Sequence, residues 1–256
     1  SEVMKALGVA IESRVTIPRT PPTSAFFFKR LQQAGVSKEL VIQRLISRKV
    51  ANNLESADDT IYQKALRRTS SIVSRVYGWS VKELYSRGDL SLPPTASWLT
   101  RIKSPILVSE SQSIGYVLYA NCLSRIAVKA TKKLKPSTLP TESLVFRREV
   151  LGEYKQISFE SVLRFAWNHG VNVIPLRDRG EFYGATWRES HRNVVILKQH
   201  SLSLDRWLSD LIQGLFHAAR HPQQADLEVI ESDKYSFVGL RAMASREAIQ
   251  FAGDVL

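Results

Sequence analysis

The chain has 256 residues, 44% of them hydrophobic, a formal net charge of +12 and a single cysteine, Cys122. That size and apolar content are ordinary for a globular protein with a proper core, built as one large domain or two modest ones. One thiol excludes an intrachain disulfide and fits a reducing cytoplasm, no apolar run reaches the ~18 residues of a membrane span, and no secretory leader is expected. All of the positive excess lies in residues 1–150, while residues 151–256 are close to neutral. The asymmetry suggests either a front surface for nucleic acid or an acidic partner, with a different job at the back, or a merely solvated basic face.

Residues 1–25 read as an arm, interrupted by Pro18 and Pro21-Pro22. From Phe26 to about Leu54 apolar residues recur at helical spacing, divided by Gly35, with Ser37 as N-cap of the second piece. Asp58-Asp59 opens another helix that runs to Val76 and stops at Gly78; Ser80 caps a short helix over Val81 to Tyr85. The stretch Ile72-Val73-Ser74-Arg75-Val76-Tyr77-Gly78-Trp79-Ser80-Val81-Lys82-Glu83-Leu84 resembles the final helices of XRE/Cro-type helix-turn-helix domains. A DNA-reading helix carries Arg, Lys, Gln or Asn near its N-terminal end to reach base edges. Gln43, Arg44, Arg48 and Lys49, expected on one helix, and Arg67 and Arg68 on the next, are the candidates.

Leu92-Pro93-Pro94 marks the expected boundary between a helical domain of residues 1–92 and a second domain of residues 93–256. A helix is expected over Ser111 to Leu134, burying Cys122 and closed by Lys132, Lys133 and Lys135, cations that suit a helix C-terminus. Pro136 to Pro140 is a loop. Ser158 caps a helix ending near Gly170, and Val171 to Leu176 is a strand. Phe182 to Arg188 and Asn193 to Leu197 read as a hairpin turning at Glu189-Ser190-His191-Arg192. A helix from Leu204 to His221, a loop over Pro222 to Phe237 and a closing helix from about Ser245 complete the α+β pattern.

On the wheel of residues 204–221, Leu204, Leu208, Leu211, Leu215 and Ala219 form one stripe, with Asp210, Gln213, Gly214, His217 and His221 opposite. His217 and His221, four apart, would stack on one face and reach one metal ion. A zinc peptidase writes this helix H-E-x-x-H, with the glutamate as general base; here that glutamate's position holds Ala218. Mid-helix Gly214 could admit the close approach of another segment. Glu247 in the closing helix is a candidate third ligand, which would leave the fourth zinc position open for water.

The hairpin, the histidine helix and Glu247-Ala248-Ile249-Gln250-Phe251-Ala252, together with the opening Phe159 to Val173, resemble the ImmA/IrrE family of metallopeptidases across about residues 110–256. The resemblance implies a zincin-like metallopeptidase domain with a small sheet behind an XRE-type front, and zinc held by His217, His221 and Glu247. It implies a cytoplasmic endopeptidase that cleaves a transcriptional repressor or antitoxin-like partner in stress-response, mobile-element or phage-defence regulation. Ile249 departs from the asparagine the family usually places there. The substrate would add a strand along Val194 to Leu197 or Phe182 to Trp187, and Tyr183, His191 or Tyr235 could assist at the oxyanion. Without a base at 218, proton transfer would fall by about 10² to 10⁴. Two explanations stand open: a deliberate change from glutamate, or a natural pseudo-peptidase acting as a DNA- or partner-binding regulator.

Overall fold

The computed structural model describes residues 23–86, 89–90, 111–177, 184–198, 203–231 and 240–256. It is mixed α and β and divides into two compact units, Ser1–Cys122 and Leu123–Leu256. The division falls inside a helix, later than the boundary expected at Leu92-Pro93-Pro94, and that segment lies outside the described residues. No helix among the described residues is long and apolar enough to cross a membrane.

The first unit is helical. Its elements are α1 (Ser24–Gln33), α2 (Lys38–Leu40, continuing as a π turn over Val41–Leu45), α3 (Arg48–Asn53), α4 (Asp59–Tyr77) and α5 (Val81–Tyr85). Each starts at a side chain that accepts one of the free N–H groups of the first turn: Thr23, Ser37, Ser47, Asp58 and Ser80, the last in a capping box with Glu83. Gly78 closes α4 at φ +83°, a left-handed conformation that costs glycine little. Phe27, Leu31, Val36, Val41, Leu45, Leu66, Val73 and Leu84 form the buried interior. Arg30 is buried among them and donates to the Glu83 carbonyl at 3.0 Å, tying α1 to α5. The single helical run expected after Ser37 is two helices, because Ile46 turns extended and Ser47 starts a new cap.

Helix α6 (Ser111–Ala130) carries the chain into the second unit. Cys122 on it is half-buried rather than buried. The second unit continues with α7 (Ser143–Tyr154), α8 (Phe159–Asn168), β1 (Asn172–Leu176), β2 (Gly184–Glu189), β3 (Arg192–Lys198), α9 (Leu204–Ala219), β4 (Leu227–Glu231) and α10 (Leu240–Val255). The sheet order is β1-β3-β2-β4, with β1 parallel to β3 and the other pairs antiparallel. The expected hairpin is present, turning at Ser190 and His191, both at positive φ. Helix α7 and strand β4 were not expected; β4 lies within what reads as a loop over Pro222 to Phe237. The outer strands are β1 and β4, so the two segments expected to offer a free edge, on β2 and β3, are the inner strands.

The core of this unit joins one sheet face to α9, α8, α7 and α10. Val195 and Leu197 supply the sheet side, and Phe146, Phe165, Phe216 and Phe251 pack as a chain of rings with centroids 5.0 to 5.6 Å apart. Gly214 lies where α9 crosses the sheet: a Cβ there would stand 2.5 Å from Val195 Cγ1. The close approach allowed by this glycine is therefore made, and Thr186 Oγ1 on β2 donates to the Gly214 carbonyl at 3.1 Å.

Candidate functional site

The site expected from the sequence depends on α9. The helix starts at Ser203, whose hydroxyl accepts from Arg206 N, and its last helical residue is Ala219. Arg220 is extended and His221 sits at φ +53°. Arg188 on β2 holds this turn: its buried guanidinium gathers the carbonyls at the helix end. It donates to the carbonyls of Ala218, Arg220, His221 (2.6 Å) and Gln224 (3.0 Å), and its Nε donates to Asn193 Oδ1 at 2.7 Å. A cation at the negative end of a helix satisfies carbonyls that have no partner further along and stabilises that end. Burial lowers the Arg188 pKa below the usual arginine value.

Two consequences correct the sequence reading. His221 has left the helix, so His217 and His221 do not stack one turn apart. Nor does α9 keep a polar face for a cleft: from Gly214 to Ala219 every residue is buried, His217 being only 2% exposed. His217 sits in the interior beside the Phe216 ring, while His221 is exposed and lines an open cleft. Glu247 on α10 lines the same cleft, and its carboxylate is ion-paired with Arg220. Among the described residues no group of three or more His, Cys, Asp or Glu side chains could hold a metal ion. The structure therefore does not bring His217 together with His221 and Glu247.

Ala218 is 3% exposed and lines a smaller cavity of about 210 Å³ beside Arg188, His191 and Asn193, not the cleft that holds His221 and Glu247. A glutamate side chain at 218 would start from that cavity and not from the cleft that holds His221 and Glu247. A helical H-E-x-x-H needs both histidines on the helix. The register that keeps His217 inside α9 reads Gln213-Gly214-Leu215-Phe216-His217. The amide of Gln213 donates to Ser209 Oγ at 3.1 Å, and Gly214 is packed on Val195 and Thr186.

The cleft itself, of about 700 Å³, lies where the first turn of α7, the end of α9 and one face of α10 meet. Its floor is Phe216 and Phe251, and the Arg220 guanidinium lies over the Phe216 ring, 5.4 Å from its centroid. Glu142, Glu247 and Asp254 supply its carboxylates. His191, a candidate oxyanion group, is at the hairpin turn beside Arg188, and Tyr183 and Tyr235 lie outside the described residues.

In the first unit, Arg48 and Lys49 are exposed on the opening turn of α3, and Arg67 and Arg68 are exposed on α4. Gln43 and Arg44 fall on the preceding π turn, so the four residues expected on one helix occupy two. Comparison with protein-family models, with curated proteins and with solved structures gives no match.

Proposed function

We propose that this chain is a regulator of the ImmA/IrrE kind in which the metallopeptidase-like back unit binds a protein partner without cutting it, while the helical front unit contacts DNA. The observation that carries the reading is the identity of residues 213 and 214. The motif register compatible with α9 has glutamine and glycine where the first ligand and the base would stand. Gly214 is also packed too tightly on Val195 to accept a carboxylate. Ala218 then needs no deliberate exchange to explain it, and a natural pseudo-peptidase is the simpler of the two accounts. The front unit supports a DNA role through the cations on the opening turn of α3, a helix preceded by α2 across the short turn Ile46-Ser47.

The test has two arms. Protein prepared with added zinc should carry far less than one zinc per chain and leave co-expressed repressor-like partners intact. Stoichiometric zinc, with partner cleavage abolished by Glu247→Gln, would instead establish the endopeptidase. A duplex shift by the front unit should weaken with salt, and Arg48→Ala with Lys49→Ala should reduce the salt slope by about one for each phosphate no longer neutralised. A shift indifferent to both substitutions would remove these residues from the interface.

A further inference from the structure

The cleft beside α9 combines an apolar floor with an acidic rim, in a chain whose overall charge is strongly positive. Phe216 and Phe251 are nearly buried, with ring centroids 5.1 Å apart, so the floor is a fixed aromatic surface. Leu144, on the first turn of α7, is 74% exposed and extends the apolar surface to the rim. The chain's own Arg220 shows what chemistry this surface accepts. Its guanidinium rests on the Phe216 ring and pairs with Glu247. Aromatic faces and carboxylates attract cations together, and planar guanidinium groups satisfy both. Arg220 pairs with one carboxylate of the rim. Glu142, the N-cap residue of α7, makes no capping bond with its side chain, and Asp254 accepts from the neutral Gln250 amide at 2.7 Å.

We propose that this cleft docks a segment of a partner protein that presents an arginine or lysine next to a large apolar side chain. The apolar group covers Leu144 and the aromatic floor, and the cation is held by Glu142 and Asp254 in the manner that Arg220 is held by Glu247. This rests on the reading of the back unit as a partner-binding module and names the chemistry of the partner it selects.

The experiment uses the full chain, isotope-labelled, titrated with N-acetyl-phenylalanyl-arginine amide and with the same peptide carrying citrulline or glutamate in place of arginine. The arginine peptide should shift amide resonances on the first turn of α7 and along residues 247–254. Citrulline, a neutral isostere, should bind roughly fivefold more weakly and the glutamate peptide more weakly still, as expected for partly exposed ion pairs. Glu142→Gln combined with Asp254→Asn should remove the preference for arginine over citrulline; both side chains are exposed, so the fold should be unchanged. Equal binding of the three peptides, shifts confined to other surfaces, or no shift at millimolar peptide would overturn the proposal. Zinc content and partner cleavage are read separately on the same preparation. A zinc-loaded, cleaving protein that prefers the arginine peptide would sink the non-catalytic reading and leave the cleft's specificity standing. A metal-free protein that ignores the peptide would do the reverse.

Discussion

Replacing Gly214 with alanine sets two opposed effects against each other. Alanine favours a helix interior over glycine by about 1 kcal/mol, so on propensity alone α9 would gain. The new methyl, however, would stand 2.5 Å from Val195 Cγ1 and 3.5 Å from Thr186 Oγ1. Val195 is 1% exposed in the core and, being β-branched, is stiff about χ1, so it cannot swing away. Overpacking of this kind costs about 1–3 kcal/mol. At 2.5 Å the cost falls in the upper part of that range, about 2–3 kcal/mol, so the clash should win with a net loss of about 1–2 kcal/mol, and hydrogen exchange of the α9 amides should quicken by roughly fivefold to thirtyfold. Native-state exchange suits the question because it reports this helix alone in a chain of two units. Val195→Ala in the Gly214→Ala background should return part of the loss, giving a coupling of about 1 kcal/mol in a double-mutant cycle. If Gly214→Ala slowed exchange, propensity would have prevailed, the close packing of α9 on β3 would be refuted, and position 214 would be open to a carboxylate.

Ala218→Glu should create no peptidase activity and should destabilise the unit by about 2–4 kcal/mol, since it places a carboxylate in a nearly closed site; partner cleavage by this variant would contradict the placement of Ala218. Arg188→Met should cost about 3–5 kcal/mol by orphaning the carbonyls at the end of α9, read as diminished exchange protection at Ala219 to Gln224, and unchanged protection would show that the guanidinium does not hold the helix end. Burial pushes the Tyr85 hydroxyl up to about 12 and raises that of Tyr77 further. A pKa raised in the folded state means stability that is fully present below the unfolded value near pH 10 and is lost as pH climbs through 12, worth about 2–3 kcal/mol for Tyr85. Denaturant titrations of the first unit should therefore show a shallower alkaline loss in Tyr85→Phe than in the parent; identical slopes would dismiss burial as the cause.

Local signals were legible in the sequence wherever the structure is locally determined. Ser37, Asp58, Ser80 and Ser158 were readable as caps because each bonds the amide three residues on. The hairpin was readable because a two-residue turn joins two apolar runs. What escaped depends on distant partners. Strand β4 exists because Leu227 to Glu231 pair with β2, and five residues with acids at two positions carry no strand signal of their own. Helix α7 buries only Phe146 and Val150, too sparse a stripe to stand out. The end of α9 is held by Arg188, more than thirty positions earlier than the last carbonyl it bonds, and periodicity carried the helix two residues too far and put His221 on it. That small overrun set on one helix face two histidines that the structure separates, one buried on α9 and one exposed beyond its end.

The β2–β3 hairpin does more than complete the sheet. Arg188 holds the end of α9, and Arg192, four positions on, donates to the carbonyls of Val128, Thr131 and Lys132 at the end of α6. Two arginines that flank one tight turn thus hold the ends of two helices that lie far apart in the chain. Closing so short a loop has the smallest entropy cost of any pairing in the sheet, so the hairpin is suited to form early, before the helices whose ends it holds. An insertion at Ser190-His191 should accordingly disturb two distant segments in concert, a sensitivity that surface turns do not ordinarily carry.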